Sequence, residues 1–270
     1  MSEQRHAAKK QLGQHFLQDA SIIELIIRAV DPKPGQRLIE IGPGQGALTL
    51  PLLRRHGALT VIELDRDLLA PLRGAGEGIG SLEVIHADVL TVDFSVLANG
   101  GMLRLVGNLP YNISSPILFH ALKHAAVVRD MHFMLQKEVV ERMAATPGGK
   151  VYGRLSVMLQ ACCEVIPLFE VPPAAFRPPP QVDSAVVRLV PRAPASIGIK
   201  DTANFERVVR DAFGQRRKTL RNALSRLCEA ADLEAAGIRP SARAEELSVD
   251  EFIALSNHLA SHRQQFTAMP

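Results

Sequence analysis

The sequence has no tryptophan and only two tyrosines, and aromatic residues fill 4% of its 270 positions. A tyrosine in a polar motif, such as Tyr111, is therefore unusual for this chain. The three cysteines, two adjacent and one distant, give neither a disulfide framework nor a CxxC metal pattern. We therefore expect reduced thiols, a cytoplasmic location and no bound metal.

Long apolar runs are also missing. The first residues, MSEQRHAAKKQLGQHF, have no apolar stretch of the kind found in a signal peptide. The best candidate for a membrane span, 22–30, is short and contains Glu24 and Arg28. We expect a protein with no membrane partner. The net charge is only +3, so the position of the basic residues matters more than their number.

The first two-thirds of the chain alternates short apolar runs with amphipathic ones, which predicts an α/β fold with a Rossmann-like, mostly parallel sheet. The five runs that predict buried strands are 37–42, 59–64, 82–88, 103–108 and 131–136. The helical candidates between them are 48–57, 67–73 and 115–127.

Two further strand candidates, 162–171 and 185–190, flank the proline-dense segment FRPPPQVDS and predict an antiparallel edge of the sheet. After residue 194 the pattern is helical only. We therefore predict two domains, a catalytic one over 1–194 and a small all-α one over 195–270. In the last helical run, Ser248 is followed three residues later by Glu251, which is typical of a capping box.

A glycine loop follows the first predicted strand. Its G-x-G-x-G spacing over Gly42, Gly44 and Gly46 lets a ligand lie against the backbone. A dinucleotide loop prefers G-x-G-x-x-G, whereas S-adenosylmethionine has no phosphate and needs no helix N-terminus for one. By itself the loop is also compatible with a tight turn that binds nothing.

Two carboxylates end the next two strands. Glu63 is placed to accept hydrogen bonds from ribose hydroxyls, and Asp88 from the amino group of an adenine ring. Either alone could be a solvated strand-end acid. With the glycine loop, they indicate a nucleoside cofactor at the carboxyl ends of the strands, and they leave NAD and S-adenosylmethionine open.

The motif Asn108-Leu109-Pro110-Tyr111, at the end of the fourth strand, separates these chemistries. An adenine N6 amine is a poor nucleophile because its lone pair is delocalised into the ring. The Asn108 amide oxygen and the Leu109 carbonyl can accept its two N–H groups, Pro110 stiffens the turn, and Tyr111 offers a stacking face. The motif predicts methylation of an adenine amine by S-adenosylmethionine.

Seven segments of the sequence closely resemble the rRNA adenine N6,N6-dimethyltransferase family, in particular its bacterial small-subunit (16S) branch. They are GQHFL (13–17), EIGPGQGALT (40–49), ELDRDL (63–68), HADVL (86–90), NLPYNISSPIL (108–118), FRPPPQVDSAVVRL (176–189) and FGQRRKTLRNAL (213–224). The resemblance covers nearly the whole chain.

The resemblance implies cofactor contacts for S-adenosylmethionine, and the loop glycine Gly44 is predicted at the same site. The implied contacts are His15, Leu17, Gly42, Glu63, Asp88 and Asn108. Phe176 is implied to sandwich the target base opposite Tyr111. The chain departs from the family at His15, where Asn is common, and at Gln181, where Lys is usual.

The implied reaction is dimethylation of two adjacent adenines near the 3′ end of 16S rRNA, within the 30S subunit or its precursor, with a role in subunit maturation. We expect a monomer.

A run of basic residues predicts phosphate binding in the helical domain, although a solvated helix face is the ordinary explanation of such a run. Its members are Arg207, Arg210, Arg216, Arg217, Lys218, Arg221 and Arg226; of these we predict Arg216, Arg217, Lys218 and Arg221 as RNA contacts.

Four alternatives stay open. A large-subunit rRNA adenine dimethylase is the nearest, but the VDSAVVRL and FGQRRKTLRNAL segments favour the small-subunit branch. DNA adenine methyltransferases generally carry [DN]PPY instead of NLPY. A non-catalytic ribosome assembly factor would be expected to have a degraded Asn108 or glycine loop, and an NAD oxidoreductase leaves NLPY unexplained.

Overall fold

The strands predicted from the sequence form one seven-stranded sheet. We describe residues 14–215 and 217–267 of a computed structural model, with side chains as far as Ser261. The sheet strands are β2 (Arg37–Ile41), β3 (Ala58–Glu63), β4 (Ser81–His86), β5 (Leu103–Asn108), β6 (Val128–Gln136), β7 (Cys163–Val171) and β9 (Ser184–Pro191). Two short strands, β1 (Phe16–Leu17) and β8 (Phe176–Arg177), form a separate antiparallel pair.

The strand order is β4-β3-β2-β5-β6-β9-β7. Neighbours from β4 to β6 pair in parallel, and β6 pairs with β9 antiparallel. The predicted mostly parallel sheet with an antiparallel edge is therefore confirmed. Because parallel strands end at one edge, this order brings the glycine loop, Glu63 and Asn108 to the same side of the sheet.

The three helical candidates predicted between the strands are helices in the structure, and their ends differ from the predicted ones by at most four residues. They are α1 (Ala20–Val30), α2 (Thr49–His56), α3 (Arg66–Gly76), α4 (Phe94–Ala98), α5 (Ser114–Lys123), α6 (Lys137–Met143), α7 (Arg154–Cys162), α8 (Pro194–Ile197), α9 (Thr202–Phe213), α10 (Leu220–Ala223), α11 (Ala230–Ala235) and α12 (Val249–Thr267). Asp19 caps α1, and Asp65 caps α3, through side-chain bonds to backbone N–H groups. The predicted capping box at α12 is confirmed, with Ser248 and Glu251 exchanging hydrogen bonds.

The expectation of helix throughout the chain after residue 194 is wrong for the basic run. Helix α9 ends at Phe213, and Thr219 pairs with Arg243 in an isolated β-bridge before α10 begins. The Leu220 N–H then donates to the Ala242 carbonyl over 2.8 Å. These tertiary backbone bonds replace the helical ones, so Arg217 and Lys218 lie in a connection between helices.

The chain forms two compact units. Among the described residues, one unit contains 14–140 together with Ile166–Pro191, and the other contains Glu141–Val165 together with 192–215 and 217–267. Helix α7 packs with α9 and α12 in the second unit. The functional division that we predict at residue 194 remains a prediction. In the described part of the chain, every helix is too short or too polar to span a bilayer.

A buried ion pair fixes helix α1 to the sheet. The Arg104 guanidinium donates to both carboxylate oxygens of Asp130, over 2.7 and 2.9 Å, and to the Val30 carbonyl at the end of α1 over 2.7 Å. Burial alone would raise the pKa of Asp130, but the hydrogen bond and charge of Arg104 hold it below the ordinary value.

Candidate active site

A cavity of about 310 Å³ lies where the parallel strands end. Its wall combines β1, the glycine loop, the ends of β3 and β5, and the turns after β4 and β5. Ten of the predicted site residues line it: His15, Leu17, Gly42, Gly44, Glu63, Asp88, Asn108, Leu109, Pro110 and Tyr111. The volume is within the usual range of small-molecule sites.

The glycine loop has the backbone that its composition requires. Gly42 and Gly44 have φ of 66° and 54°, a left-handed region that other residues rarely adopt. A Cβ at Gly44 would lie 3.1 Å from the Phe16 ring. The loop backbone therefore forms a close-fitting wall of the cavity.

Glu63 is held by the loop that it faces. Its Oε2 accepts from the Gly44 N–H over 3.1 Å, and its Oε1 accepts from the Asp65 N–H over 2.8 Å. Burial raises the pKa of this carboxyl, although both backbone bonds oppose the rise. Each oxygen keeps a second lone pair, so the group can still accept two hydroxyl hydrogens.

Asp88 is the exposed acid of the cavity. Its Oδ1 accepts from the Leu90 N–H over 2.9 Å and so caps the short 3₁₀ turn Val89–Thr91. This bond fixes the carboxylate at the cavity wall and leaves Oδ2 available as an acceptor.

The Asn108 amide has a defined orientation. Its Nδ2 donates to the His15 backbone carbonyl over 3.0 Å, and because a carbonyl can only accept, the nitrogen must face it. Within the described residues no group donates to the Asn108 Oδ1 or to the Leu109 carbonyl. The turn therefore presents two unused acceptors.

Tyr111 is anchored at its hydroxyl, which hydrogen-bonds to the Ser184 Oγ on β9 over 2.5 Å. Burial raises the pKa of this phenol, so it stays neutral. The His15 ring stacks on the Tyr111 ring, with centroids 5.6 Å apart and planes 24° apart. The tyrosine ring is thus held at two points.

Phe176 is not among the residues that line the cavity. It is 4% exposed and packs in the hydrophobic core, and in the β1–β8 pair it lies opposite Leu17. Its predicted stacking on the target base stays a prediction. In this structure the residue instead supports β1, which carries the cavity residues Phe16 and Leu17.

Sequence reasoning did not single out Glu40, which lines the cavity at the start of the glycine motif. Its carboxyl is 1% exposed, accepts from the Thr49 Oγ1 over 2.6 Å, and has its pKa raised by burial to about 8. An acid before a glycine loop was a usable signal. Ser184 was not predictable, because only the fold brings β9 to Tyr111.

The second unit carries the exposed basic residues Arg217, Lys218 and Arg221, none of which forms a salt bridge with a described residue. Arg216 lies outside the described residues. Arg210 is paired with Asp211 at 3.0 Å, so its charge is partly neutralised. The Thr219–Arg243 bridge adds exposed Arg243 to the group, which no local sequence pattern indicates.

Comparison with known proteins agrees with this geometry. The profile of the family described as ribosomal RNA adenine dimethylase matches residues 5–261. A protein named ribosomal RNA small subunit methyltransferase A from Xanthomonas campestris pv. campestris (strain B100) is 72% identical over 250 residues, which cover 93% of this chain and 95% of that protein. Its namesake from Xanthomonas oryzae pv. oryzae (strain PXO99A) is 71% identical over the same shares.

Two solved structures are similar over their whole length. A dimethyladenosine transferase from Plasmodium falciparum has a TM-score of 0.79 and 26% identity, covering 93% of this chain and 98% of that one. The 23S rRNA methyltransferase ErmE has a TM-score of 0.69 and 27% identity, covering 91% and 99%. Because the family profile matches residues 5–261, nearly the full length of the chain, the chain belongs to the ribosomal RNA adenine dimethylase family.

Proposed function

We propose that this chain transfers methyl groups from S-adenosylmethionine to N6 of two adjacent adenines near the 3′ end of 16S rRNA, giving N6,N6-dimethyladenine at each. The substrate would be the 30S subunit or a precursor of it, with a role in subunit maturation. The observation that carries the proposal is the Asn108-Leu109 turn, which has two unused acceptors on residues that line the cavity.

The cavity residues fit the proposed cofactor. Glu63 would accept hydrogen bonds from both ribose hydroxyls, and Asp88 would accept a hydrogen bond from the adenine amine of the cofactor. At Gly42 and Gly44 the loop has no side chain that would obstruct the remaining portion of the cofactor. Bound there, S-adenosylmethionine would supply a methyl group already activated by a positively charged sulfur.

The protein would act mainly by alignment. The Asn108 Oδ1 and the Leu109 carbonyl would accept hydrogen bonds from the two N–H groups of the target amine. These bonds would favour a tetrahedral nitrogen whose lone pair is directed at the methyl carbon. Formation of the C–N bond would break the bond between the methyl carbon and sulfur and leave S-adenosylhomocysteine. The positive charge would pass to the nitrogen and make its proton acidic, and the same two oxygens would stabilise that charge. Water can then take the proton, and no strong base is required.

Two features support recognition of the RNA. Tyr111 offers an aromatic face, and an unpaired adenine can be splayed onto it at lower cost than one taken from a duplex. Arg217, Lys218 and Arg221 are exposed cations that would contact phosphates.

A large-subunit substrate is the second candidate, because ErmE is similar in structure. The relatives that are 71–72% identical carry a small-subunit name, which favours the first. Incubating purified 30S and 50S precursors with labelled S-adenosylmethionine would separate the two. Labelling confined to the 50S precursor would overturn our choice.

Replacement of Asn108 tests the mechanism. We expect Asn108→Ala to lower the rate of methyl transfer by about 10²–10³-fold, the usual effect of removing one hydrogen-bonding group that stabilises developing charge. The measurement is mass spectrometry of rRNA after single-turnover incubation with each protein.

Asn108→Asp is the matched control for orientation. It keeps a side-chain oxygen but cannot donate to the His15 carbonyl, which would repel its carboxylate. We expect a loss comparable to that of the alanine variant. Dimethyladenine formed equally by all three proteins would exclude the proposed role of Asn108.

A further inference from the structure

The side chain and the main chain of His15 take part in different contacts. Its backbone carbonyl accepts from the Asn108 amide, which any residue at this position could do. Its imidazole instead hydrogen-bonds through Nδ1 to the Pro178 carbonyl over 2.9 Å and stacks on Tyr111. The imidazole therefore contacts two groups: the Tyr111 ring, on which we propose the target base stacks, and the backbone of the proline-rich segment.

The ring contact covers one face of Tyr111. Stacked aromatic rings in proteins have centroids about 4.5–7 Å apart, so rings 5.6 Å apart are in direct contact and no third ring fits between them. The bond to Pro178 holds the imidazole in this place. A base can then stack only on the opposite face of Tyr111.

We propose that the His15 imidazole is a positioning residue of the target-base subsite, which supports the Tyr111 ring from behind while the adenine stacks on its other face. This inference rests on the proposed function, and it moves the His15 side chain from the cofactor contacts to the RNA side of the site. The contribution of residue 15 to the Asn108 geometry comes from its main chain alone.

Two substitutions separate these roles. His15→Asn removes the ring, and His15→Phe keeps a ring without the hydrogen bond to Pro178. Both keep the backbone carbonyl that orients Asn108. We expect His15→Asn to raise the KM for the small-subunit substrate about 3- to 10-fold, the range of a ring–ring contact, and His15→Phe to restore it to within about twofold. In both, the Kd for S-adenosylmethionine measured by calorimetry should stay within about twofold of wild type.

The small number of tyrosines allows a readout that does not depend on activity. In a Tyr152→Phe background, 3-fluorotyrosine labels Tyr111 alone, since the chain has only two tyrosines. We expect His15→Asn to change the ¹⁹F shift of Tyr111. A single-stranded adenine-containing RNA should shift this resonance at a lower concentration when His15 is present than in the His15→Asn variant, both in the Tyr152→Phe background.

Several results would overturn the inference. One is a tenfold weaker Kd for S-adenosylmethionine in His15→Asn with an unchanged KM for RNA, which would return the side chain to the cofactor site. Another is identical behaviour of the Asn and Phe variants, and a third is a ¹⁹F resonance that RNA does not move. Failure of the proposed function can be told apart from failure of this inference. If the proposed function is wrong, the wild-type protein forms no N6,N6-dimethyladenine. The ¹⁹F titration still tests the contact between His15 and Tyr111 in that case.

Discussion

Two buried carboxyl groups, Glu40 and Glu63, line the cavity, and they differ in the hydrogen-bond donors that surround them. Glu63 has two backbone donors, whereas Glu40 has one hydroxyl donor and is fully enclosed. With a pKa of about 8, Glu40 is mostly protonated near neutral pH. The cavity therefore has less negative charge than its composition implies.

This protonation predicts a pH dependence of stability. The ordinary pKa of Glu40 is 4.5 and the folded value about 8, so between these values the folded chain holds a proton that the unfolded chain releases. The free energy of unfolding should therefore fall as the pH rises from about 5 to 8. Glu40→Gln should remove the contribution of Glu40 to that slope, with a gain on the order of 3–5 kcal/mol at pH 8.

Urea denaturation at pH 5, 6, 7 and 8 would measure this effect. The matched control is Glu83→Gln, because Glu83 accepts from the Thr60 hydroxyl over 2.9 Å in the same way but is exposed. That variant should keep the wild-type slope. An equal slope in Glu40→Gln would show that burial of Glu40 does not govern its protonation.

At the scale of elements, the site depends on how strands and helices are fixed at their ends. Helix α1 follows β1, and its last turn is bonded to Arg104 on β5, four residues before Asn108. The pairing of Leu17 with Phe176 ties β1 to β8. The position of His15 therefore depends on contacts made by the two elements that follow it along the chain.

Arg104→Leu should destabilise the fold by roughly 3–5 kcal/mol, because Asp130 would be left as a buried charge without its main partner. Adding Asp130→Asn should recover part of the loss, since a neutral amide costs less to bury. Chemical denaturation of both variants tests this. Arg129→Leu, on the same strand as Asp130 but exposed, should change stability little. No recovery in the double variant would argue against an uncompensated charge as the cause.

The capping box of α12 gives a second prediction for an element. Ser248→Ala removes the hydroxyl that accepts from the Glu251 N–H, so the free energy of unfolding should fall by about 1 kcal/mol. Ser241→Ala, at an exposed serine of the same unit, should have little effect. Denaturation curves measure both changes, and equal curves for the two variants would contradict the role of the cap.

For the whole molecule, the modest net charge of +3 conceals an uneven distribution. Arg217 and Lys218 are exposed and have no carboxylate within salt-bridge distance among the described residues, whereas Arg28 and Lys33 pair with Glu24 and Asp31. Unpaired cations release more counterions when phosphates bind. RNA affinity should therefore depend more on Arg217 and Lys218 than on Arg28 and Lys33.

Reversing both charges in Arg217→Glu/Lys218→Glu should weaken binding of 30S precursor RNA and reduce the slope of log K against log salt by roughly 2. Arg28→Glu/Lys33→Glu changes the net charge equally and is the control. Filter binding from about 50 to 200 mM salt gives both slopes. If the two double variants have the same slope, position is unimportant and net charge alone governs binding.

The sequence by itself determined the strand and helix pattern, the glycine loop and the NLPY turn, because each depends on neighbouring residues: apolar period, backbone freedom at glycine, and the fixed φ of proline. Tertiary structure alone decided the partners that lie far along the chain. The His15 carbonyl orients Asn108, Ser184 anchors Tyr111, Arg243 joins the basic group, and Phe176 lies in the core. The burial of a side chain and its distant partners depend on how the strands are ordered in the sheet. The periodicity of neighbouring residues does not specify that order, because strands that pair can lie far apart along the chain.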